Sequence, residues 1–597
     1  MGHLADGREE FQTSVTVIGA GPAGLVTSLL LSKYGVAHVL VEKYPTMAHT
    51  PRAHIVNQRT VEIFRDLGLE QEFLDVAMPW DMMANTVWHT SLSGLELARR
   101  QSWGNAPERR ADYLKASPCG MANCGQHLLE PLLLEHALKS EHAEVLLNHV
   151  ADGIAEDGDG VVATVTDRES GRSRRIRSRY LVGADGGRSL VAEAIGLAYE
   201  GEEGISASAT VHFHADLSRY TSYRPGTLYW NASPGSENFR GLGNLICHRP
   251  WHDWALAYSY DPDREDETHP DQALRRLRKI IGDDSIDIDI RNISTWTINH
   301  LVASSYARGR VFCMGDAVHR HPPTNGLGLN TSVADAYNLA WKLALVVNGV
   351  AGERLLDTYS VERQPVGRQV VDRAFASIGD MRPINEALGF RNGQSEAEGR
   401  AALRTLYGPG PQGRARRQAL AKAVAATDYQ FNAHGVEVGY RYRAGAVVPD
   451  GTPEPRSDRD PELFYQPTTW PGAHLPHAWL DRGEGRVSTY DVAGQGRFTL
   501  FTGIGGDAWL EAAAASASRL GIELAVVRIG TPDGYRDCYG DWSALSEVDE
   551  SGCVLVRPDL FVAWRSRTAS AEAVAELPGV LARLLARETS FASKIDR

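Results

Sequence analysis

The chain has 597 residues, 43% hydrophobic and 23% charged, with a net charge of −13. That length suits roughly three to four domains and a core able to enclose a cofactor, while the acidic balance excludes a nucleic-acid binder, which needs a basic footprint. The six cysteines are scattered without a CxxC pair, which excludes a disulfide framework or a zinc ribbon.

The first thirteen residues carry acids and no apolar signal core. The longest apolar run, Val15 to Leu31, is broken by glycines, so a soluble cytoplasmic protein is expected. Val15-Thr-Val-Ile18 reads as a buried strand, followed at once by Gly19-Ala-Gly21-Pro-Ala-Gly24 and an apolar helix from Leu25 to about Tyr34. A second strand, His38 to Val41, ends in Glu42, eighteen residues past Gly24. This is the dinucleotide fingerprint in its strand–turn–helix setting. Gly19 permits the tight turn, Gly21 lets the backbone approach a pyrophosphate, and Gly24 lets helix pack on strand. The helix N-terminus offers N–H groups and partial positive charge to phosphates, and Glu42 is placed to accept from a ribose.

Residues 81–110 read as irregular and Trp-rich. A helix is expected over 121–141, with Leu128, Leu129, Leu132, Leu133 and Ala137 at helical spacing, and a strand over 160–167. A further apolar strand runs into Asp185-Gly186. From 205 to 300 short strand signals prevail, which suits an inserted β-sheet substrate domain. From 301 the dinucleotide domain resumes with a strand into Gly315-Asp316, a loop from Pro322 to Asn330, and a helix that stops before Gly349. Gly408-Pro-Gly410-Pro-Gln-Gly413 matches the fingerprint by spacing alone; no strand feeds it and two prolines interrupt it, so it reads as a loop. With no other second fingerprint, a separate nicotinamide domain is not expected. The tail, 445–597, reads as one more α/β unit, with strands at 497–502 and 523–529 around a helix at 507–520.

The three glycine–acid segments, in this order, resemble those of the class A flavoprotein aromatic hydroxylases, the p-hydroxybenzoate hydroxylase superfamily. Pro51-Arg52-Ala53-His54-Ile55-Val56-Asn57-Gln58-Arg59-Thr60 is similar to the phenol-hydroxylase branch, which includes the 2,4-dichlorophenol 6-monooxygenases and 2-hydroxybiphenyl 3-monooxygenases. The likeness extends through Arg224-Pro-Gly-Thr-Leu-Tyr-Trp230 to Val554-Leu-Val-Arg-Pro-Asp-Leu-Phe-Val-Ala-Trp564. It implies an α/β (α+β) fold. A discontinuous FAD-binding Rossmann-like domain would cover 1–80, 111–195 and 301–384, and a substrate-binding β domain 81–110 and 196–300. A helical linker region would cover 385–444 and a C-terminal thioredoxin-like domain 445–597. Cys538 and Cys553 lack the spacing of a redox pair, so a structural or oligomer-contact role is expected for the tail.

The resemblance also implies a site. FAD would lie on Gly19, Gly21, Gly24 and Glu42 at its adenosine side, with Arg52 and Gln126 near the pyrophosphate and ribityl chain. Gln126 follows Cys124-Gly125, where the relatives have Leu-Pro. Asp185 matches the motif linked to FAD and the nicotinamide cofactor, and Asp316 the residue that takes ribityl or ribose hydroxyls. Backbone donors over Pro323, Gly326, Gly328, Leu329 and Asn330, with a helix starting there, suit an anionic reduced flavin. The implied reaction uses NADPH or NADH as transient reductant and O2. It hydroxylates a phenolic aromatic substrate ortho to its hydroxyl through a flavin C4a-hydroperoxide, with His54 as the base that favours phenolate. A homodimer is implied as well. No metal is expected: His319 and His321 flank Arg320, but no further ligands accompany them. Trp296, Asn299, Tyr220, Tyr223 and Trp230 are pocket candidates, although aromatics in a β domain are core more often than not. Two alternatives stay open. One is a tailoring oxygenase acting on a larger aromatic natural product by hydroxylation, epoxidation or Baeyer–Villiger chemistry. The other is a flavin-binding protein without redox turnover.

Overall fold

Val15, Val17, Val39 and Leu40 are wholly buried, as strands covered on both faces must be. The computed structural model describes residues 2–3, 9–47, 50–233, 242–263, 265–391, 393–483 and 485–587. In its first sheet the strands Val311–Cys313, Ser173–Gly183, Glu9–Ile18, His38–Val41 and Ala143–Leu146 lie side by side and parallel. The helices Pro22–Lys33 and Gly328–Val347 pack against each other. The first of them starts at Pro22, earlier than the apolar run, because Gly21 sits at its N-cap and proline suits the first helical position.

A second sheet of eight strands forms the β domain. Tyr199–His214 is its centre, flanked by Asp289–Ala303 and Asp253–Tyr260, both antiparallel to it. Its far edge is Asn85–His89 and Glu96–Gln101, in the stretch expected to be irregular. Asn85–His89 is buried at every position, so it carries no alternation of polar and apolar residues to read. The helix expected over 121–141 is shorter, Gln126–Leu138. Ala122–Asn123 instead pairs antiparallel with Ile55–Val56, and this two-stranded ribbon carries the His54 segment.

Helices fill the stretch after the FAD domain, among them Glu396–Leu406 and Pro411–Ala426. The spurious glycine motif at 408–413, expected as a loop, is a turn only at 408–410; Pro411 to Gly413 form the first turn of the second helix, because Gly410 caps it and proline suits the first helical position. A Cβ on Gly413 would sit 2.2 Å from the Gly408 carbonyl oxygen, so glycine is needed there for close packing. In the tail the strands order as Leu524–Arg528, Phe498–Thr502, Cys553–Val556 and Val562–Ser566. The first two are parallel and the third antiparallel to its neighbours. The helix Asp507–Leu520 crosses between the parallel pair and packs on Ala571–Leu584. This is a thioredoxin-like arrangement. All six cysteines are free thiols. Among the described residues no helix is long and apolar enough to cross a membrane.

Candidate active site

The glycines of the first turn divide by what surrounds them. Gly19 has a φ of +101°, and a Cβ there would meet the Ala184 carbonyl oxygen at 2.3 Å. A Cβ on Gly24 would sit 1.9 Å from the Gly19 carbonyl oxygen. Both are needed by the protein itself. Gly21 has an ordinary φ of −70°, and among the described residues no atom lies within 4 Å of where its Cβ would be. Glycine at 21 answers no need of the protein; it leaves open the space a pyrophosphate would take. Glu42 is buried and accepts from the backbone N–H of Ala20 at 2.7 Å and of Tyr44 at 3.0 Å. Each of its oxygens keeps a lone pair for a ribose hydroxyl.

The two aspartates differ. Asp185 closes its own loop, accepting from the Ser189 hydroxyl and from the Val191 N–H at 3.1 Å. Asp316 is exposed, and among the described residues its carboxylate has no protein hydrogen bond. Its turn is fixed from behind. The Gly315 N–H donates to Asp335 at 3.1 Å, and a Gly315 Cβ would lie 2.9 Å from the Ser332 hydroxyl and 3.7 Å from Ala23 Cβ. The free carboxylate thus stands where the helices Pro22–Lys33 and Gly328–Val347 begin. Arg52 is exposed nearby in sequence to His54, and the Gln126 amide donates to Glu130 at 2.5 Å. The His319–His321 pair is not assembled: His319 bonds Asp335 at 2.8 Å, which Arg363 also binds at 2.7 Å. His321 donates to the Pro322 carbonyl at 2.6 Å.

Asn330 joins the glycine loop to the His54 segment. Its Oδ1 accepts from the Asn57 N–H at 2.9 Å and the Thr60 hydroxyl at 2.7 Å. Its Nδ2 donates to the carbonyls of Ile55 at 2.9 Å and Gly326 at 2.6 Å. The Asn330 side chain is therefore engaged by protein on both ends, and its work is positioning. A Cβ on Gly326, φ +63°, would strike Ile55 Cβ at 2.7 Å, so the loop and the His54 segment touch. The Gly328–Val347 helix starts in this loop and presents unpaired N–H groups and the positive end of its dipole.

His54 is part-buried, and its Nδ1 lies 2.7 Å from Asn123 Oδ1. Asn123 cannot be turned about, because its Nδ2 donates to the Cys247 carbonyl at 2.8 Å. The amide oxygen must then face His54, so Nδ1 carries the proton and Nε2 the free lone pair. Burial pushes His54 down to about 4, which keeps it neutral at physiological pH. His54 stands out in the sequence by its motif, whereas Asn123 does not, because its contact with His54 exists only once the two short strands pair. Of the pocket candidates, Trp230 is buried and Tyr223 exposed. Trp296 donates to Thr210 at 3.1 Å, and Asn299 accepts from the Gly204 N–H at 2.9 Å.

The turn at Gly21 leaves room for a pyrophosphate, the Asp316 carboxylate is free, and the His54 imidazole is held in one tautomer beside the β domain. The chain matches the family model of the FAD binding domain over residues 12–374 and that of the aromatic-ring hydroxylase C-terminal domain over residues 468–587. It belongs to the FAD-binding aromatic-ring hydroxylase family. It is 46% identical to a 2,4-dichlorophenol 6-monooxygenase of Delftia acidovorans, over 96% of this chain and 98% of the relative. It is 41% identical to a phenol 2-monooxygenase of Pseudomonas sp. (strain EST1001), over 96% of this chain and 92% of the relative. Among solved structures, the flavin-dependent monooxygenase PieE in complex with FAD and substrate superposes with a TM-score of 0.94 at 51% identity, covering 97% of this chain and 100% of that one. Aklavinone-11 hydroxylase with FAD and aklavinone gives 0.78 at 30% identity, covering 96% and 99%. FAD is the cofactor of this enzyme.

Proposed function

We propose that the enzyme hydroxylates a phenol ortho to its hydroxyl group, with NADH or NADPH as reductant and O2 as oxidant, and that His54 Nε2 is the acceptor for the phenol proton. The observation that carries this reading is the fixed tautomer of His54: Asn123 leaves only Nε2 free to accept. The likeness to the chlorophenol and phenol monooxygenases supports the substrate class.

Bound FAD supplies hydride acceptance and oxygen activation; the chain supplies position and charge. Gly21 leaves room for the pyrophosphate, and Asp316 and Glu42 would accept from sugar and ribityl hydroxyls. The N-terminus of the Gly328–Val347 helix would face the flavin's negative charge. His54, at about 4, does not strip a phenol of pKa about 10 outright, since a gap of about six units is worth ~8 kcal/mol. It accepts a hydrogen bond in the ground state, which raises electron density on the ring. It takes the proton as the ring carbon bonds to oxygen and the O–H becomes acidic.

The test is NADH and NADPH oxidation by the purified yellow protein, with and without a panel of substituted phenols, and products read by mass spectrometry. Stimulated oxidation with gain of one oxygen atom is expected; oxidation that yields only peroxide with every phenol would overturn the reading. The likeness to aklavinone-11 hydroxylase favours a second reading, a multi-ring phenol as substrate, and such compounds belong in the same panel. The family likeness also supports a homodimer, which sedimentation analysis tests.

A further inference from the structure

One ring beyond the His54 site, where the His54 ring meets His248 at 5.5 Å and His248 meets His127 at 5.5 Å, four side chains converge. His212 and His214 stand two apart on the Tyr199–His214 strand and so share one face. Asp253 is the cross-strand partner of His214 on the neighbouring strand and points the same way. His127 comes from the first turn of the Gln126–Leu138 helix. The Asp253 carboxylate lies 2.7 Å from His212 Nε2, 3.1 Å from His127 Nε2 and 3.9 Å from His214 Nε2. The donor atoms of His127, His212 and Asp253 all fall within 4.8 Å of one another.

We propose that His127, His212, His214 and Asp253 form a binding site for a divalent transition-metal ion of the Zn2+ type. Three imidazoles and one carboxylate are the donors such ions select. With bonds of about 2.05 Å, tetrahedral ligand atoms sit roughly 3.3 Å apart. The distances of His212 and His127 to Asp253 lie close to that value, while His214, at 3.9 Å and outside the group of mutually close donor atoms, would turn inward to become the fourth ligand. An entry path exists, because His214 is 48% exposed while His212, Asp253 and His127 are 8%, 13% and 10% exposed.

Two further observations favour an ion over a simple hydrogen-bonded cluster. Gly125 has an unremarkable backbone, φ −58° and ψ 141°, yet a Cβ there would lie 2.6 Å from His127 Nδ1 and 3.1 Å from His248 Nδ1. The glycine makes room for two rings, not for a turn. His248 is buried, and among the described residues neither of its nitrogens nor His127 Nδ1 has a hydrogen-bond partner. A metal on His127 Nε2 puts the ring's proton on Nδ1, the atom that shares the space above Gly125 with His248. The orphaned nitrogens could then satisfy each other as an outer partner to the ligand. The exposed Arg249 lies across from Asp253 on the next strand, and among the described residues no ion pair joins them. The ion would tie the helix that follows Gln126 to the substrate sheet.

The experiment uses the tag-free holoenzyme and Co2+ and Zn2+ as probes. One Co2+ per chain is expected, with ligand-field bands at longer wavelength than the flavin bands, displaced by one equivalent of Zn2+. His212→Asn should abolish the bands, and His214→Ala, at the exposed rim where folding is not at risk, should weaken binding about tenfold or more. His300→Ala, which alters a separate surface His–Asp pair at 3.0 Å, should leave binding unchanged. Flavin content, read in parallel, reports folding. Absence of saturable binding, or binding that survives unchanged in His214→Ala and in folded His212→Asn, would overturn the proposal and leave a hydrogen-bonded cluster only.

Discussion

Asn123 holds His54 in a single tautomer: its amide oxygen faces His54 Nδ1 at 2.7 Å because its amide nitrogen is committed to Cys247. The base of the proposed reaction is thus set by a residue that need not touch substrate. His54→Ala should keep FAD and lose about 10²- to 10⁴-fold in kcat, the usual worth of a positioned base. Asn123→Asp should keep the hydrogen bond and add a charge, which raises the histidine. The acid limb of kcat/KM, expected near pH 4 from His54, should then move upward. An unmoved limb in Asn123→Asp would mean that another group controls it.

The contrast between Gly21 and Gly24 separates cofactor binding from stability. Gly21→Ala adds a methyl group that meets no atom of the described residues within 4 Å, so unfolding of the flavin-free protein should be unchanged within about 0.5 kcal/mol. FAD affinity should fall, because the methyl occupies pyrophosphate space. Gly24→Ala puts Cβ 1.9 Å from the Gly19 carbonyl oxygen and should lower stability as well as affinity. Urea unfolding of the flavin-free forms and flavin titration would read the two effects apart. Equal loss of stability in both variants would contradict the assignment.

Stability should fall in mild acid. His38, His54, His89, His248, His321, His434, His474 and His477 are all held below the ordinary histidine value, with burial the largest cause. A depressed histidine is protonated in the unfolded chain before it is protonated in the folded one. Stability is therefore lost as pH drops through about 6.5. The loss continues to about 4 for His54, His321 and His477, and to about 3 for His89 and His434. Glu437, raised to about 8 by burial, works the other way and weakens the fold as pH rises from about 4.5 to 8. Glu62, Asp185 and Asp380 are also raised by burial and act the same way, but four opposing carboxyls do not cancel eight imidazoles, so the unfolding midpoint in urea should drop between pH 6.5 and 4.5. A midpoint that stays level over that range would show that these histidines are not buried neutral.

What could be read from the sequence follows the range of the forces involved. Gly19 to Gly24 declares itself because a tight turn and a helix start are local events. The tail helix at 507–520 is legible for the same reason, and Asp507–Leu520 is what forms. Asn85–His89 was not legible, because an interior strand has no polar face to mark it. Asn123, Asn330 and the cluster around Asp253 belong to a third kind. His127, His212 and Asp253 are far apart in sequence, and only strand register and the packing of one helix bring them together. Asn330 reads as part of a flavin loop, but its hydrogen bonds reveal a brace to the His54 segment.

The tail domain is joined to the FAD domain through a buried charge, which gives the sharpest stability prediction. Glu362 accepts from Lys342 at 2.8 Å and from both terminal nitrogens of Arg557 at 2.8 Å, and all three side chains are wholly buried. The cations push Glu362 down to about 2. Glu362→Gln would leave two buried cations facing only Asp559, which Arg557 binds at 2.6 Å. Breaking such a cluster from the carboxylate side should cost about 3–5 kcal/mol. Lys342→Met should cost less. Burial already lowers Lys342 to about 8, so its charge is the easiest to give up, and Arg557 would still neutralise Glu362. The order of the two variants in urea unfolding checks the argument. If Lys342→Met proves the more damaging, the lysine and not the arginine is the essential counter-charge, and the junction rests on the pairing of the helices Gly328–Val347 and Thr358–Asp380, which carry Lys342 and Glu362, and not on the link to the tail.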